Sequence, residues 1–98
     1  MTIKKDIKDQ SVTITLAGRL DTATAPELEA ELDGCINDAK DLVFDFAGLD
    51  YISSAGLRVI LKAQKTMNKQ GSMKLINVNE SIMEVFDITG FADILTIE

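Results

Sequence analysis

Alternation of apolar and polar residues marks the start of the chain. Ile3 to Ile7 forms one short segment, and Val12, Ile14 and Leu16 oppose Thr13 and Thr15 in a second. A period of two sends alternate side chains to opposite faces of a sheet, so both segments are predicted as strands. The polar Lys8-Asp9-Gln10-Ser11 between them predicts a hairpin. Ala17-Gly18-Arg19-Leu20-Asp21-Thr22 breaks the alternation, and Thr24-Ala25-Pro26-Glu27 reads as a helix start. Thr24 or a neighbour is the cap, proline falls in the first turn, and Glu27 faces the positive end of the helix dipole. Leu28, Leu32, Cys35, Ile36 and Ala39 then recur at helical spacing, which carries the predicted helix to about Asp38.

Leu42 to Phe46 is predicted as a central strand because helices flank it in sequence, with Asp45 its one polar residue. From Ser54 to about Lys69 the period changes to that of a helix: Gly56, Val59, Ile60, Ala63 and Met67 share a face, with Leu57 and Leu61 beside them. Arg58, Lys62, Lys65 and Lys69 occupy the opposite face. Gly71 ends this helix, Met73 to Val78 reads as a strand, and Asn79 or Ser81 caps a last helix carrying Ile82, Met83, Val85, Phe86 and Ile88. That helix stops at Thr89-Gly90, and Phe91 to Ile97 ends in an edge strand. The order points to a layered α/β domain with parallel crossovers after an initial hairpin.

A chain of 98 residues allows one domain and one core, so residues 1–98 are read as a single unit. Its 10 basic and 16 acidic residues give a formal charge of −6, which argues against binding to nucleic acid or to an anionic membrane. There is no histidine and Cys35 is the only cysteine, so histidine-dependent triads and the usual nitrogen and sulfur metal sites cannot be assembled. No metal and no cofactor is expected. Cys35 is expected to pack in the core, and an unpaired thiol fits a reducing compartment. The start carries charge with no following apolar stretch, and no run approaches the ~18 apolar residues of a membrane helix. A soluble, cytoplasmic protein is the expectation.

The glycines make neither a dinucleotide fingerprint nor a phosphate loop. Gly48 is expected in a turn, and Gly56 where the first turn of its helix packs closely on the sheet. Asp21, Asp45 and Asp50 lie near predicted strand ends, but their spacing specifies no metal or acid/base site. Ser53 and Ser54 stand where a strand gives way to a helix. Unpaired amides and the helix dipole let a serine there cap the helix or carry a phosphoryl group. The basic face of the same helix is suited to an acidic partner, and Arg58 lies one turn beyond Ser54.

Asp50-Tyr51-Ile52-Ser53-Ser54-Ala55-Gly56-Leu57-Arg58-Val59-Ile60-Leu61 resembles the signature loop of the STAS domain, in particular that of bacterial anti-sigma factor antagonists. Gly18-Arg19-Leu20-Asp21 with Ala25 and Leu28, and Val85-Phe86-Asp87-Ile88-Thr89-Gly90-Phe91, resemble two further blocks of the family, so the likeness spans nearly the whole chain. It implies a mixed sheet of four to five strands with flanking helices, and a serine switch at the start of the second helix. The resemblance further implies that the unmodified antagonist sequesters an anti-sigma factor that is also a serine kinase. Phosphorylation by that kinase dissolves the complex, and a metal-dependent serine phosphatase restores it. The chain is then a binding protein and not an enzyme.

Aligned on Gly56 and Leu57, the family's phosphoacceptor falls on Ser54. Two neighbours depart from the family's pattern: Ser53 replaces a common Asp, and Ala55 replaces a common Ser or Thr. Ser53 fits the cap and Ser54 the acceptor. With the basic helix face, the expected partner surface comprises Asp21, Ser53, Ser54, Ala55, Gly56, Arg58 and Lys62. Two alternatives stay open: a STAS subunit docked on a transporter or signalling assembly without phosphorylation, and a small ligand- or nucleotide-binding domain using Asp21 and the Ser54 helix start.

Overall fold

In the computed structural model, which describes residues 1–98, the alternating segments pair first. Strand β1 (Thr2–Lys8) turns through Asp9, whose φ of 55° lies in the left-handed region that aspartate tolerates, into β2 (Ser11–Leu20). The chain continues through α1 (Ala25–Asp33), β3 (Asp41–Ile52), α2 (Ser54–Gln70), β4 (Ser72–Ile76), α3 (Glu80–Thr89) and a 3-10 turn at Phe91–Asp93. The four-stranded sheet has the order β1-β2-β3-β4, with β1 antiparallel to β2 and the other neighbours parallel. β3 is internal, as its flanking helices predict, and the mixed α/β architecture matches expectation.

Register decides which face is covered. Val12 and Ile14 align with Leu42 and Phe44, and these with Met73 and Leu75, on one face, where Leu16 and Phe46 are buried as well. The apolar stripes of the helices, including Leu28 and Leu32, Ile60 and Met67, and Ile82 and Phe86, complete a single core of 24 buried residues. Thr13, Thr15, Val43, Asp45, Lys74 and Ile76 on the other face stay half-buried.

The structure moves several predicted boundaries. Helix α1 ends at Asp33, five residues before the expected Asp38: Gly34 is a poor helix former, and beyond it the Cys35 amide tightens to a three-residue bond with the Leu32 carbonyl at 3.0 Å. Ile36 and Ala39 are still buried after the helix has ended. Cys35 reaches only the border of the core, half-buried, where its Sγ donates to the Glu31 carbonyl at 3.3 Å and burial pushes the thiol pKa up.

β2 and β3 run on to Leu20 and Ile52, past the expected ends at Leu16 and Phe46. Register shifts between Thr15 and Ala17 and between Gly18 and Arg19 change the inward spacing, so Phe46, Leu49 and Ile52 all bury. Gly48 sits within β3 instead of in a turn. A Cβ there would come within 2.9 Å of the Ala17 Cβ, so glycine serves the close approach of two strands. The expected fifth strand shrinks to one bridge between Leu75 and Ile97, closed by Leu75 N–H to Thr96 and Glu98 N–H to Leu75, each 2.9 Å.

Asn79 is the cap of α3: its Oδ1 accepts from the Ile82 amide at 2.9 Å while its Nδ2 donates to the Leu49 carbonyl at 2.9 Å. This one side chain starts the helix and ties it to β3.

Candidate functional site

The ends of β2 and β3 run side by side, with Leu20 opposite Ile52, and the Ser53 amide donates to the Leu20 carbonyl at 2.8 Å. That bond fixes the point where strand becomes helix. Ser53 is extended (φ −98°, ψ 175°), and its Oγ accepts from the Gly56 amide at 3.3 Å. Ser53 is therefore the cap of α2, as the sequence predicts. Ser54 is the first helical residue, with its side chain exposed.

The buried neighbours hold that serine in place. Ile52, Gly56 and Leu57 are buried, and a Cβ on Gly56 would fall 2.7 Å from Leu20 Cγ and 3.0 Å from Ile52 Cγ1. Glycine thus lets the first turn of α2 settle directly on the two strand ends. The expected close packing at Gly56 is present. No acidic residue occupies that first turn, so the positive end of its dipole has no counter-charge from within the helix.

Asp21 organises the neighbouring loop. Its Oδ1 accepts from the amides of Ala23 at 3.0 Å and Thr24 at 3.1 Å, and its own amide donates to Thr24 Oγ1 at 2.9 Å. Thr24 Oγ1 in turn donates to the Arg19 carbonyl at 2.7 Å. Thr24 stands at the cap position of α1 without capping it by its side chain, because that oxygen is already engaged in the turn. The hydrogen bond from the Thr24 amide, ahead of the other contributions, lowers the Asp21 pKa below its usual carboxylate value.

Ionised Asp21 therefore stabilises the fold above the ordinary carboxylate range, and this contribution disappears as pH falls through its lowered folded-state value. Asp21→Asn keeps an acceptor oxygen but not the charge. The variant is expected to melt below wild type at pH 7 and to converge with it in strong acid. A gap in melting temperature that does not close on acidification would contradict this role.

Asp45 is committed elsewhere, accepting on Oδ1 from the Ala47 amide and Asn77 Nδ2, each at 3.0 Å. Asp50 is exposed on β3. Asp21, Asp45 and Asp50 do not form a metal-binding group. On α2, Arg58 and Lys62 are exposed, and Lys62 reaches Glu29 of α1 at 3.5 Å. Ala55, Arg58 and Val59 line a shallow groove with Thr22 of the preceding turn and Ala25, Pro26 and Glu29 of α1. The structure thus brings Asp21, Ser53, Ser54, Ala55, Gly56 and Arg58 to one edge, and Lys62 lies one turn further along α2.

Two residues at that edge are not singled out by the sequence. Arg19 lies opposite Tyr51 in the β2/β3 register, its guanidinium carbon 4.2 Å from the ring centroid, and its Nε is 3.8 Å from Asp21 Oδ2. The inward burial of Leu20 and Ile52 is the pattern that turns both outward.

The STAS domain family model matches residues 2–98. This chain belongs to the STAS domain family. The STAS domain here is 35% identical over 100 residues to the anti-sigma-B factor antagonist of Bacillus subtilis, covering 99% of this chain and 92% of that protein. Solved structures share its fold. An anti-sigma factor antagonist from Mycobacterium paratuberculosis superposes with a TM-score of 0.88 at 20% identity, covering 98% of this chain and 83% of that one. SpoIIAA, the Bacillus cell fate determinant and anti-sigma factor antagonist, matches in both its unphosphorylated and phosphorylated forms, with TM-scores of 0.79 and 0.78 at 19% identity. Those two matches cover 99% of this chain and 87% and 91% of the SpoIIAA chains.

Proposed function

We propose that this STAS domain is an anti-sigma factor antagonist switched by phosphorylation of Ser54. The observation that carries the proposal is the division of labour at the start of α2. Ser53 closes the helix cap through Gly56, leaving Ser54 exposed on a rigidly seated first turn. The full-length likeness to the Bacillus subtilis antagonist supports the same reading.

In its bare form the serine edge docks on an anti-sigma factor that is also a serine kinase. Asp21, Ser53, Ser54, Ala55, Gly56, Arg58 and Lys62 make up the docking surface. The kinase transfers the γ-phosphoryl group of ATP to Ser54 Oγ, releasing ADP and the hydroxyl proton. The modification adds roughly −1.5 to −2 charge, which the first amides of α2, its dipole and Arg58 one turn on can hold without unfolding the helix. A surface that fitted a neutral hydroxyl now presents a bulky dianion, so the interface weakens through desolvation and steric conflict. A metal-dependent serine phosphatase hydrolyses the phosphoester to inorganic phosphate and restores the hydroxyl. The chain is a substrate in both steps and supplies no catalytic group, acting in the cytoplasm.

The test is incubation with the cognate anti-sigma factor kinase and ATP, followed by mass-spectrometric site mapping. One phosphate is expected at Ser54, lost in Ser54→Ala and kept in Ser53→Ala. Modification at neither serine refutes the switch and favours a STAS subunit that docks without phosphorylation.

A further inference from the structure

We infer that Arg19, stacked on Tyr51 and leaning on Asp21, is a second anchor of the docking edge and receives a carboxylate side chain of the protein partner. The inference rests on the functional reading above and extends its interface beyond the serine and the basic face of α2.

Arg19 is held from two sides. Its guanidinium lies over the Tyr51 ring at 4.2 Å, and its Nε stands 3.8 Å from an Asp21 carboxylate that the Ala23 and Thr24 amides already fix. Such restraint lowers the conformational entropy lost when a partner arrives. The long contact through Nε engages one edge of the guanidinium, and the side chain remains 62% exposed. Tyr51 is 41% exposed, one of four large apolar side chains open to solvent. Tyr and Arg are among the residue types enriched where binding energy concentrates at interfaces.

Position and charge point to the occupant. The Leu20–Ile52 pair and the bond from the Ser53 amide to Leu20 place Arg19 and Tyr51 next to the serine turn. A partner covering Ser54 therefore meets Arg19 as well. A planar, multi-donor guanidinium matches a carboxylate in a two-point contact that a lysine ammonium cannot reproduce. This edge carries Arg19, Arg58 and Lys62 beside Asp21, Asp50 and Glu29, but Arg58 makes no ion pair and Arg19 only the long contact to Asp21, so these guanidinium groups are the charges left to meet an acidic side chain of a partner.

Calorimetric titration of the cognate anti-sigma factor kinase, without nucleotide, tests the assignment. Arg19→Ala and Tyr51→Ala are each expected to weaken binding about tenfold or more. Arg19→Lys falls near Arg19→Ala, and Tyr51→Phe stays near wild type because the ring face is kept. The Arg19→Ala/Tyr51→Ala double variant should bind little worse than either single one, as expected of side chains acting as one unit. Arg19→Glu should regain affinity when one acidic residue of the partner is changed to lysine.

Arg19→Ala binding within twofold of wild type, while Ser54→Asp loses binding, overturns the anchor and leaves the functional reading standing. An Arg19 effect seen only with ATP-loaded kinase also overturns it, assigning the guanidinium to a nucleotide phosphate. Failure of the wild-type chain to bind refutes the functional reading and the anchor together.

Discussion

Ser54→Asp is expected to lose the anti-sigma factor by about a hundredfold, the factor that corresponds to roughly 3 kcal/mol for an unpaired charge forced into an interface. The helix itself should tolerate the change. Ser54 occupies the first position of α2, where an acid complements the dipole and stabilises by about 0.3–1 kcal/mol, and no other acid lies in that turn. The melting temperature should therefore hold or rise slightly while binding falls. Ser54→Ala removes the acceptor oxygen but leaves the Ser53 cap and the seating of Gly56 untouched. It is expected to bind like wild type and to stay bound when ATP is added, because nothing can be modified. Titration of both variants against the kinase, with and without ATP, reads this directly. Equal binding by both variants would place the switch away from this turn.

Phe46→Ala should produce the largest loss of stability. Phe46 is fully buried near the middle of β3, its ring centroid 6.1 Å from that of Phe44 and 6.5 Å from that of Phe86 on α3. Truncation removes both contacts and leaves a cavity between the central strand and the last helix. Changes of this kind cost about 3–5 kcal/mol, against a total of roughly 5–15 kcal/mol for a small domain. At about 4–8 °C per kcal/mol for a domain of this length, the melting temperature should drop by roughly 12 °C or more. A drop below about 5 °C would mean that the core closes over the gap.

These two variants separate surface from core, and the sequence is legible to different depths in each. In the core, alternation and helical spacing suffice for the type and order of every major element. They fail where strand neighbours override the local period: at the register shifts of β2 against β3 and at Gly48 facing Ala17. Gly34 does interrupt the chain locally, but the apolar spacing continues past it because Ile36 and Ala39 bury from outside the helix. Periodicity records burial and not backbone conformation.

At the site, Ser53 as cap and Gly56 as close-packing residue follow from local rules, since a cap acts on an amide three residues away. The role of Asp21 in shaping the turn with Thr24 is equally local but competes with the simpler reading of Thr24 as cap. The contact of Arg19 with Tyr51 joins residues on separate strands, and no local rule pairs them.

From the residues alone came the α/β order, the single core, the helix that begins at Ser54 and the signature that relates the chain to STAS domains. Those properties depend on spacing within a few residues or on matched motifs. Tertiary structure alone decided that the strand ends slip in register, that Asp45 is tied to Asn77, and that Arg19 and Tyr51 stand beside the serine turn. Each of these depends on which strands or loops become neighbours across tens of residues, and only the packed sheet determines that.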